Sequence, residues 1–519
     1  MRHFAKLAAI GEQAMWGGAM ASGFTGALRT RADVWGLSHQ QTWHPTLLWY
    51  AKAIGALHKN PGTSGITNPT WWRYQAAIHD YDDGADPYAV NGEPMPSAAD
   101  QNAFWRACQH GGWFFLPWHR IYLYYFEEII ATTVVSLGGP PDWALPYWDY
   151  SNTGNPDALV LPPAFREAKL PNGSDNPLRV DARAPGVNAG HKINSRYVSL
   201  NCLKQTHFGQ AAVSGTTGFG GGPVIHHDPG QLAGALENVP HGAVHNAVGG
   251  PSGWMSAFNT APLDPIFWVH HANIDRLWQV WLGLKATNTD PPDASWLDAI
   301  GAQFRFHDSA GAVGMLTKPR QVLDSAQALQ YKYESLADPL PPGLQAPVPK
   351  PQEAVAAAMV IPTHPAEMVG ASDSATPLGN APAAAEFDIG EPTGPAKLAA
   401  AAAEAPQRHV YLRLENIRAQ RRTPSYAVYL NVPDGAELDA YEDNYAGLIS
   451  MFGVAESSRT TAEHGGDGLT YVLDITDVVQ QLSQKGDWNP KHVRVTLAPL
   501  DAYEAESAAT VGRISLYYH

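Results

Sequence analysis

Cysteine is nearly absent from this chain, with only Cys108 and Cys202 in 519 positions. A disulfide framework is therefore excluded, one bridge is the most that could form, and a reducing compartment is compatible with the composition. Charge is also scarce at 16%, and 34 basic residues against 49 acidic ones leave a net charge of −15. That balance argues against nucleic acid or an anionic membrane as a partner and favours a small neutral ligand. No run of about 18 or more apolar residues occurs, so no membrane span is expected. The basic start, MRHFAKLAAIGEQAMWGGAMASGF, is interrupted by Glu12 and Gln13 before a signal-peptide core is complete. It reads as uncleaved, and a cytoplasmic location is expected.

What is abundant is aromatic and imidazole character: 17 Trp, 21 Tyr and 21 His. Such a composition suits a buried, aromatic-lined site using imidazole chemistry. Residues 28–340 mix helical patterns with Gly/Pro/Asn-rich connections such as VSGTTGFGGGP, which reads as a helical core carrying long loops. In HRIYLYYFEEII, residues 119–130, the positions His119, Tyr122, Leu123, Phe126 and Ile130 fall on one helical face, and Pro117 suits the first turn. Residues 341–407 turn Ala/Pro-rich with little periodicity and read as a linker. From 408 onward HVYLRLENI, YAVYLNV, TYVLDI, HVRVTLAPL and RISLYYH alternate as strands. The expected class is α+β: a mainly α domain over 1–340, the linker, and a small antiparallel β-sandwich-like domain over 408–519. No internal repeat is found.

Three histidine clusters lie on helix-like segments. ACQHGGWFFLPWHR carries His110 and His119, PHGAVH carries His241 and His245, and DPIFWVHHANIDRLW carries His270 and His271. An i,i+4 pair such as His241/His245 is weak evidence alone, since about one is expected by chance in a chain this rich in histidine. Adjacent histidines on a helix point apart, so at most one of His270 and His271 should join a common site. Three clusters amid dense apolar aromatics weigh more, because buried imidazoles without partners are costly and metal ligation removes that cost. Imidazole donors without a Cys or carboxylate set favour copper, zinc or iron over oxygen-seeking cations.

HGGWFFLPWHRIYLYYFE and DPIFWVHHANIDRLW, with PHGAVH between them, resemble the two copper-binding signatures of the tyrosinase and polyphenol oxidase family, relatives of the molluscan haemocyanins. The resemblance covers about residues 28–340. It implies a four-helix bundle holding two copper ions, with O₂ as co-substrate and small phenols as substrates. Copper A would take His79, His110 and His119; copper B would take His241, His245 and His271. AAIHD around His79 resembles the family's first-ligand segment, whereas the surroundings of His58 do not. His270 would line the site without ligating. Asp275 resembles an acidic residue anchoring its helix through Arg276 or a ligand imidazole, with an ordinary surface carboxylate as the alternative.

Other positions bear on the activity implied. Glu237 resembles an acidic residue that holds a water near copper and helps deprotonate a phenol, although a Glu at a helix start is favourable for dipole reasons alone. Asn246 would orient that water or the substrate, and Gly242 leaves room beside copper B. Phe258 stands where plant members carry a phenylalanine shielding copper A. Cys108 and His110 form a Cys-x-His of the kind that makes a thioether in fungal members; a plain buried thiol is the alternative. Cys202, His191, His207, His226 and His227 are assigned no role. The tail resembles the C-terminal domain of plant polyphenol oxidases, which implies a lid with Met451 or Phe452 as its plug. A role in homo-oligomerisation or in stability is the competing reading. Glu237 and Asn246 favour a tyrosinase acting on monophenols and o-diphenols. Phe258 favours a catechol oxidase, or a haemocyanin-like O₂ carrier with blocked access. A zinc hydrolase lacks the acid–base carboxylate motif.

Overall fold

The computed structural model describes residues 26–59, 65–209, 218–225, 232–338, 340–341, 344, 366–390, 409–460, 465–489, 491–503 and 508–519. The N-terminal segment read for a leader, and His226 and His227, lie outside these residues. No described helix is long and apolar enough to cross a membrane.

The helical domain is assembled from α1 (Val34–Gln40), α2 (Pro45–Leu57), α3 (Trp72–Ala77), α4 (Ala98–Phe104), α5 (Phe115–Ser136), α6 (Ala243–Gly249) and α7 (Ile266–Leu284). Helix α5 packs on both α2 and α7, and the turn Glu237–Gly242 leading into α6 packs on α7. Pro117 sits in the first turn of α5, where its missing N–H has no intrahelical acceptor to lose. The one-sided stripe expected for this helix is not what the fold uses, because α5 is buried on every side from Phe115 to Ala131. Its charged residues are enclosed with partners. Arg120 bonds Asp275 at 2.6 Å, Glu127 bonds Arg31 at 2.5 Å, and Glu128 accepts the Ser309 hydroxyl at 2.9 Å.

A parallel pair, β1 (Arg29–Arg31) with β2 (Tyr331–Tyr333), ties the two ends of the helical domain together. The remaining strands form a sandwich of two antiparallel sheets. They are β3 (Glu367–Ala371), β4 (Thr376–Leu378), β5 (Ala383–Asp388), β6 (Val410–Ala419), β7 (Tyr426–Leu430), β8 (Tyr445–Ile449), β9 (Leu469–Asp474), β10 (His492–Pro499) and β11 (Ala509–Tyr518). One sheet runs β5-β10-β7-β8; the other runs β3-β11-β6-β9, with β4 also paired to β11. The sheets enclose a separate apolar core that includes Leu412, Leu414, Val428, Val495 and Leu516. Helix α8 (Thr476–Lys485) lays Val479 and Leu482 against it and stops at Gly486, whose φ of 80° a side chain would resist.

The expected linker over 341–407 is corrected here, since β3, β4 and β5 lie within it and the sandwich begins near residue 366 rather than 408. Ala-rich strands such as AAAEFD carry little polar contrast, and β3 and β5 are edge strands, so their period of two is faint. Strand β7 is buried along its whole length. Tyr426, Val428 and Leu430 enter the sandwich core, while Tyr429 points outward and receives Nη1 of Arg196 from the helical domain at 2.8 Å.

Candidate metal centre

Two groups of buried side chains lie at the heart of the helical domain. His79, Cys108, His110 and His119 form one, and His241, His245, His270 and His271 the other; within each group the donor atoms lie within 4.8 Å of one another. The groups adjoin, the His119 ring stacking on His271 with centroids 4.5 Å apart. His79 follows α3, His110 sits in the loop after α4, His119 is on α5, His241 and His245 straddle the entry to α6, and His271 is on α7. His58 is remote from both groups and packs on Trp72 and Tyr88.

Backbone carbonyls fix the tautomers. Nδ1 of His79 meets the Phe258 carbonyl at 2.8 Å, Nδ1 of His119 the Phe115 carbonyl at 2.8 Å, Nδ1 of His241 the Glu237 carbonyl at 3.1 Å, and Nδ1 of His245 the Met255 carbonyl at 2.7 Å. A carbonyl only accepts, so each Nδ1 carries the proton and each Nε2 presents a lone pair. The Nε2 atoms of His79 and His241 are buried with no hydrogen-bond partner, and those of His245 and His271 face each other at 3.2 Å. Burial and neighbouring imidazoles hold His119, His241, His245 and His271 well below the usual histidine range, and burial takes His79 to about 4. Neutral imidazoles with convergent, unpartnered lone pairs are what a copper pair requires, and the two sites suit copper A and copper B.

The surrounding residues occupy definite places. Glu237 is fully enclosed; its Oε1 accepts the Gly111 amide at 2.7 Å, its Oε2 has no partner, and burial pushes the carboxyl up to about 8. A cavity of about 30 Å³ lies between Glu237, His110, His241, Phe258, Phe452 and Tyr471, enough for a single water. Phe258 stacks on the His110 ring, centroids 4.6 Å apart at 13°. Cys108 Sγ lies 3.4 Å from Nδ1 and 3.9 Å from Nε2 of His110, and 3.4 Å from Nε2 of His119. Both Cys108 and Cys202 are free, buried thiols.

The C-terminal domain reaches into this centre. Phe452 stacks on His245 with centroids 4.0 Å apart at 10° and stands edge-on to Phe258 at 4.7 Å. Of the two expected plug residues, Phe452 is the one at the imidazoles, whereas Met451 is packed in the sandwich core. The segment is held by two side-chain amides. Asn238 donates to the Leu448 carbonyl and accepts the Ser450 amide, both at 2.8 Å. The Asn246 amide, oriented to satisfy its neighbours, accepts from the backbone N–H of Met451 at 3.0 Å and Phe452 at 3.1 Å. Asn246 thus faces the Met451 and Phe452 backbone. Asn238 was not foreseen from sequence; only the pairing of domains gives its amide a backbone to read. Gly242 admits the same segment, since a Cβ there would stand 2.5 Å from the Ser450 hydroxyl.

Asp275 is buried, and its partners are Arg120 at 2.6 Å, the Tyr331 and Tyr333 hydroxyls at 2.6 Å each, and Arg31 at 3.6 Å. The expected contact with Arg276 or a ligand imidazole is replaced by this cluster, because Arg276 turns to Asp338 and Asp149. His191 is exposed and His207 half-buried, both away from the centre.

A helical bundle carrying two adjoining buried imidazole groups beneath a β-sandwich defines a paired-copper protein. Residues 69–284 match the family described as the common central domain of tyrosinase, and residues 365–519 match a domain of unknown function (DUF7868). A tyrosinase of Hahella sp. (strain CCB-MM4) is 33% identical over 506 residues, covering 94% of this chain and 99% of that one. The latent chloroplastic polyphenol oxidase of Prunus armeniaca is 30% identical over 252 residues, 44% of this chain and 39% of that protein. Among solved structures, latent apple tyrosinase shares the fold at a TM-score of 0.58 and 22% identity, covering 95% of this chain and 98% of that one. A latent aurone synthase does so at 0.61 and 19%, covering 96% and 92%. The chain belongs to the tyrosinase and polyphenol oxidase family of dicopper oxidoreductases.

Proposed function

We propose that this chain is a latent tyrosinase, hydroxylating monophenols at the ortho position and oxidising o-diphenols to o-quinones, with its C-terminal domain as the lid. His79, His110 and His119 hold copper A, and His241, His245 and His271 hold copper B; His270 stands beside them. The Nε2 of His271 converges on that of His245, which favours His271 over its neighbour as the ligand. Two coppers held there supply the binding and two-electron reduction of O₂.

The observation that carries the monophenol reading is the unpartnered Oε2 of Glu237 beside the one-water cavity. Once ionised, the Glu237 carboxyl, which burial pushes up to about 8, accepts the proton of an incoming phenol directly or through that water, and the Gly111 amide fixes its other oxygen. Phe258, flat against His110, and Phe452, flat against His245, occupy the space a substrate ring would need. The lid must therefore withdraw before substrate enters. Cys108 faces the edge of His110 that carries Cε1, the carbon between the two nitrogens from which its sulfur is 3.4 and 3.9 Å away, as a thioether at that carbon requires. The bond would form with loss of one hydrogen from sulfur and one from carbon, O₂ being the oxidant.

The shielding by Phe258 favours a second reading, a catechol oxidase. Oxygen uptake by the copper-loaded protein, before and after limited proteolysis, separates the two: L-tyrosine and L-DOPA both consumed supports the tyrosinase, and L-DOPA alone supports the catechol oxidase. Copper analysis of His271→Ala should show one ion in place of two, and His270→Ala should retain two. A thioether would lower the intact mass by two hydrogens.

A further inference from the structure

Strand β8 lies at the edge of its sheet, and from Leu448 to Phe452 the chain offers alternate side chains to the two domains. Ile449 and Met451 enter the sandwich core. Leu448 instead joins the apolar core of the helical domain, and the Phe452 ring lies on His245. Ser450, between them, closes over Gly242, where a side chain would meet its hydroxyl. A period of two is how an extended peptide is gripped in a groove.

The helical domain grips the backbone as well. Asn238 donates to the Leu448 carbonyl and accepts the Ser450 N–H, both at 2.8 Å, and the Asn246 carboxamide accepts the Met451 and Phe452 N–H groups at 3.0 and 3.1 Å. Main-chain groups of this kind are carried by every polypeptide, so such contacts do not depend on which chain supplies them. Selection falls to the side chains: an apolar residue at 448, a small one at 450 over Gly242, and an aromatic ring at 452 on the imidazole. Phe452 has the ring of a tyrosine without the hydroxyl, so it fills the place of a phenol and cannot react as one.

We propose, on the reading of this chain as a tyrosinase whose lid withdraws, that the groove so exposed takes tyrosine within an extended polypeptide, preceded by an apolar residue four positions and a small residue two positions earlier. Residues 448–452 are its built-in, unreactive mimic. The reaction balances with O₂ alone. One oxygen atom enters the ring, the other leaves as water with the hydroxyl hydrogen and one ring hydrogen, and the tyrosyl ring, losing four electrons to O₂, becomes an o-quinone.

Gly453 has a φ of 77°, and a side chain there would overlap the Phe258 ring, so Gly453→Ala keeps the lid from seating without touching the groove. Wild-type protein after limited proteolysis is the second open preparation. On the copper-loaded full chain carrying Gly453→Ala, oxygen uptake is compared for the peptide GLISMYG, residues 447–453 with tyrosine in place of Phe452, for N-acetyltyrosinamide and for L-DOPA, while calorimetry follows binding of the unreactive GLISMFG. GLISMFG should bind, and kcat/KM for GLISMYG should exceed that for N-acetyltyrosinamide at least about tenfold, through KM. The advantage should fall about tenfold when valine replaces the serine of the peptide, and again in the peptide as first made when Asn238→Ala is added to the protein. No binding of GLISMFG, equal kcat/KM for the two tyrosyl substrates, or an advantage unchanged by Asn238→Ala overturns the proposal, and the tyrosinase reading stands so long as N-acetyltyrosinamide and L-DOPA are consumed. Uptake with L-DOPA alone, or with none of the three, overturns the monophenol reading and this proposal with it.

Discussion

The ring of Phe452, carried by the sandwich domain, lies flat on the imidazole of His245, centroids 4.0 Å apart and planes 10° from parallel. An aromatic side chain from one domain thus occupies the face of a histidine in the other. Removing the ring while the domain stays docked opens a space of substrate size. Phe452→Gly should raise catechol oxidation by the intact, copper-loaded protein by about tenfold or more, and should leave the protease-treated protein unchanged. Oxygen uptake with and without proteolysis checks both parts.

Asn238 reads the backbone at Leu448 and Ser450 as a neighbouring strand would, with one donated and one accepted bond of 2.8 Å. Asn238→Ala leaves a buried carbonyl and a buried amide without partners, a cost of about 1–3 kcal/mol. The open population should grow roughly 5- to 150-fold. Proteolytic release of the sandwich should accelerate in proportion.

Asp275 neutralises Arg120 and lies 3.6 Å from Arg31, and its carboxyl is held below the usual range by those guanidinium groups despite its burial. Asp275→Asn keeps the shape but leaves buried cations short of a counter-charge, a loss of about 3–5 kcal/mol. Calorimetry should show a lower melting temperature, and far-ultraviolet dichroism at low temperature should be unchanged.

Burial pushes His58 down to about 4, and its Nε2 has no hydrogen-bond partner. Unfolding restores the ordinary value near 6.5. Stability from keeping His58 neutral is therefore whole above pH 6.5 and is lost as pH falls toward 4, because the unfolded chain takes up a proton that the folded one refuses. Urea titrations at pH 7 and pH 5 should show the wild type losing about 2 kcal/mol more than His58→Leu.

Much of the centre was legible because its determinants are local. The ligand segments are fixed by residue type at short spacing: His110 precedes and His119 lies within a helix with Pro117 in its first turn, and His241 and His245 sit one turn apart. Strands β6, β7, β9, β10 and β11 were equally plain, since alternation imposed by a buried face is written into the sequence. Strands β3 to β5 were not: β4 is only Thr-Pro-Leu, β3 and β5 are short edge strands, and the alanines of β5 hardly distinguish a buried face from an exposed one.

By itself the sequence determined which side chains have metal-ligating chemistry, that their segments are helical, and that a strand-rich second domain follows. Tertiary structure decided the rest. It chose Phe452 over Met451 by the face each presents from one turn, gave Asn246 a backbone to hold, and set Asp275 among Arg120, Tyr331 and Tyr333 rather than beside Arg276. Each of those outcomes depends on groups far apart in the chain, whose approach is set by how two separately built cores pack. Local spacing carries no information about that.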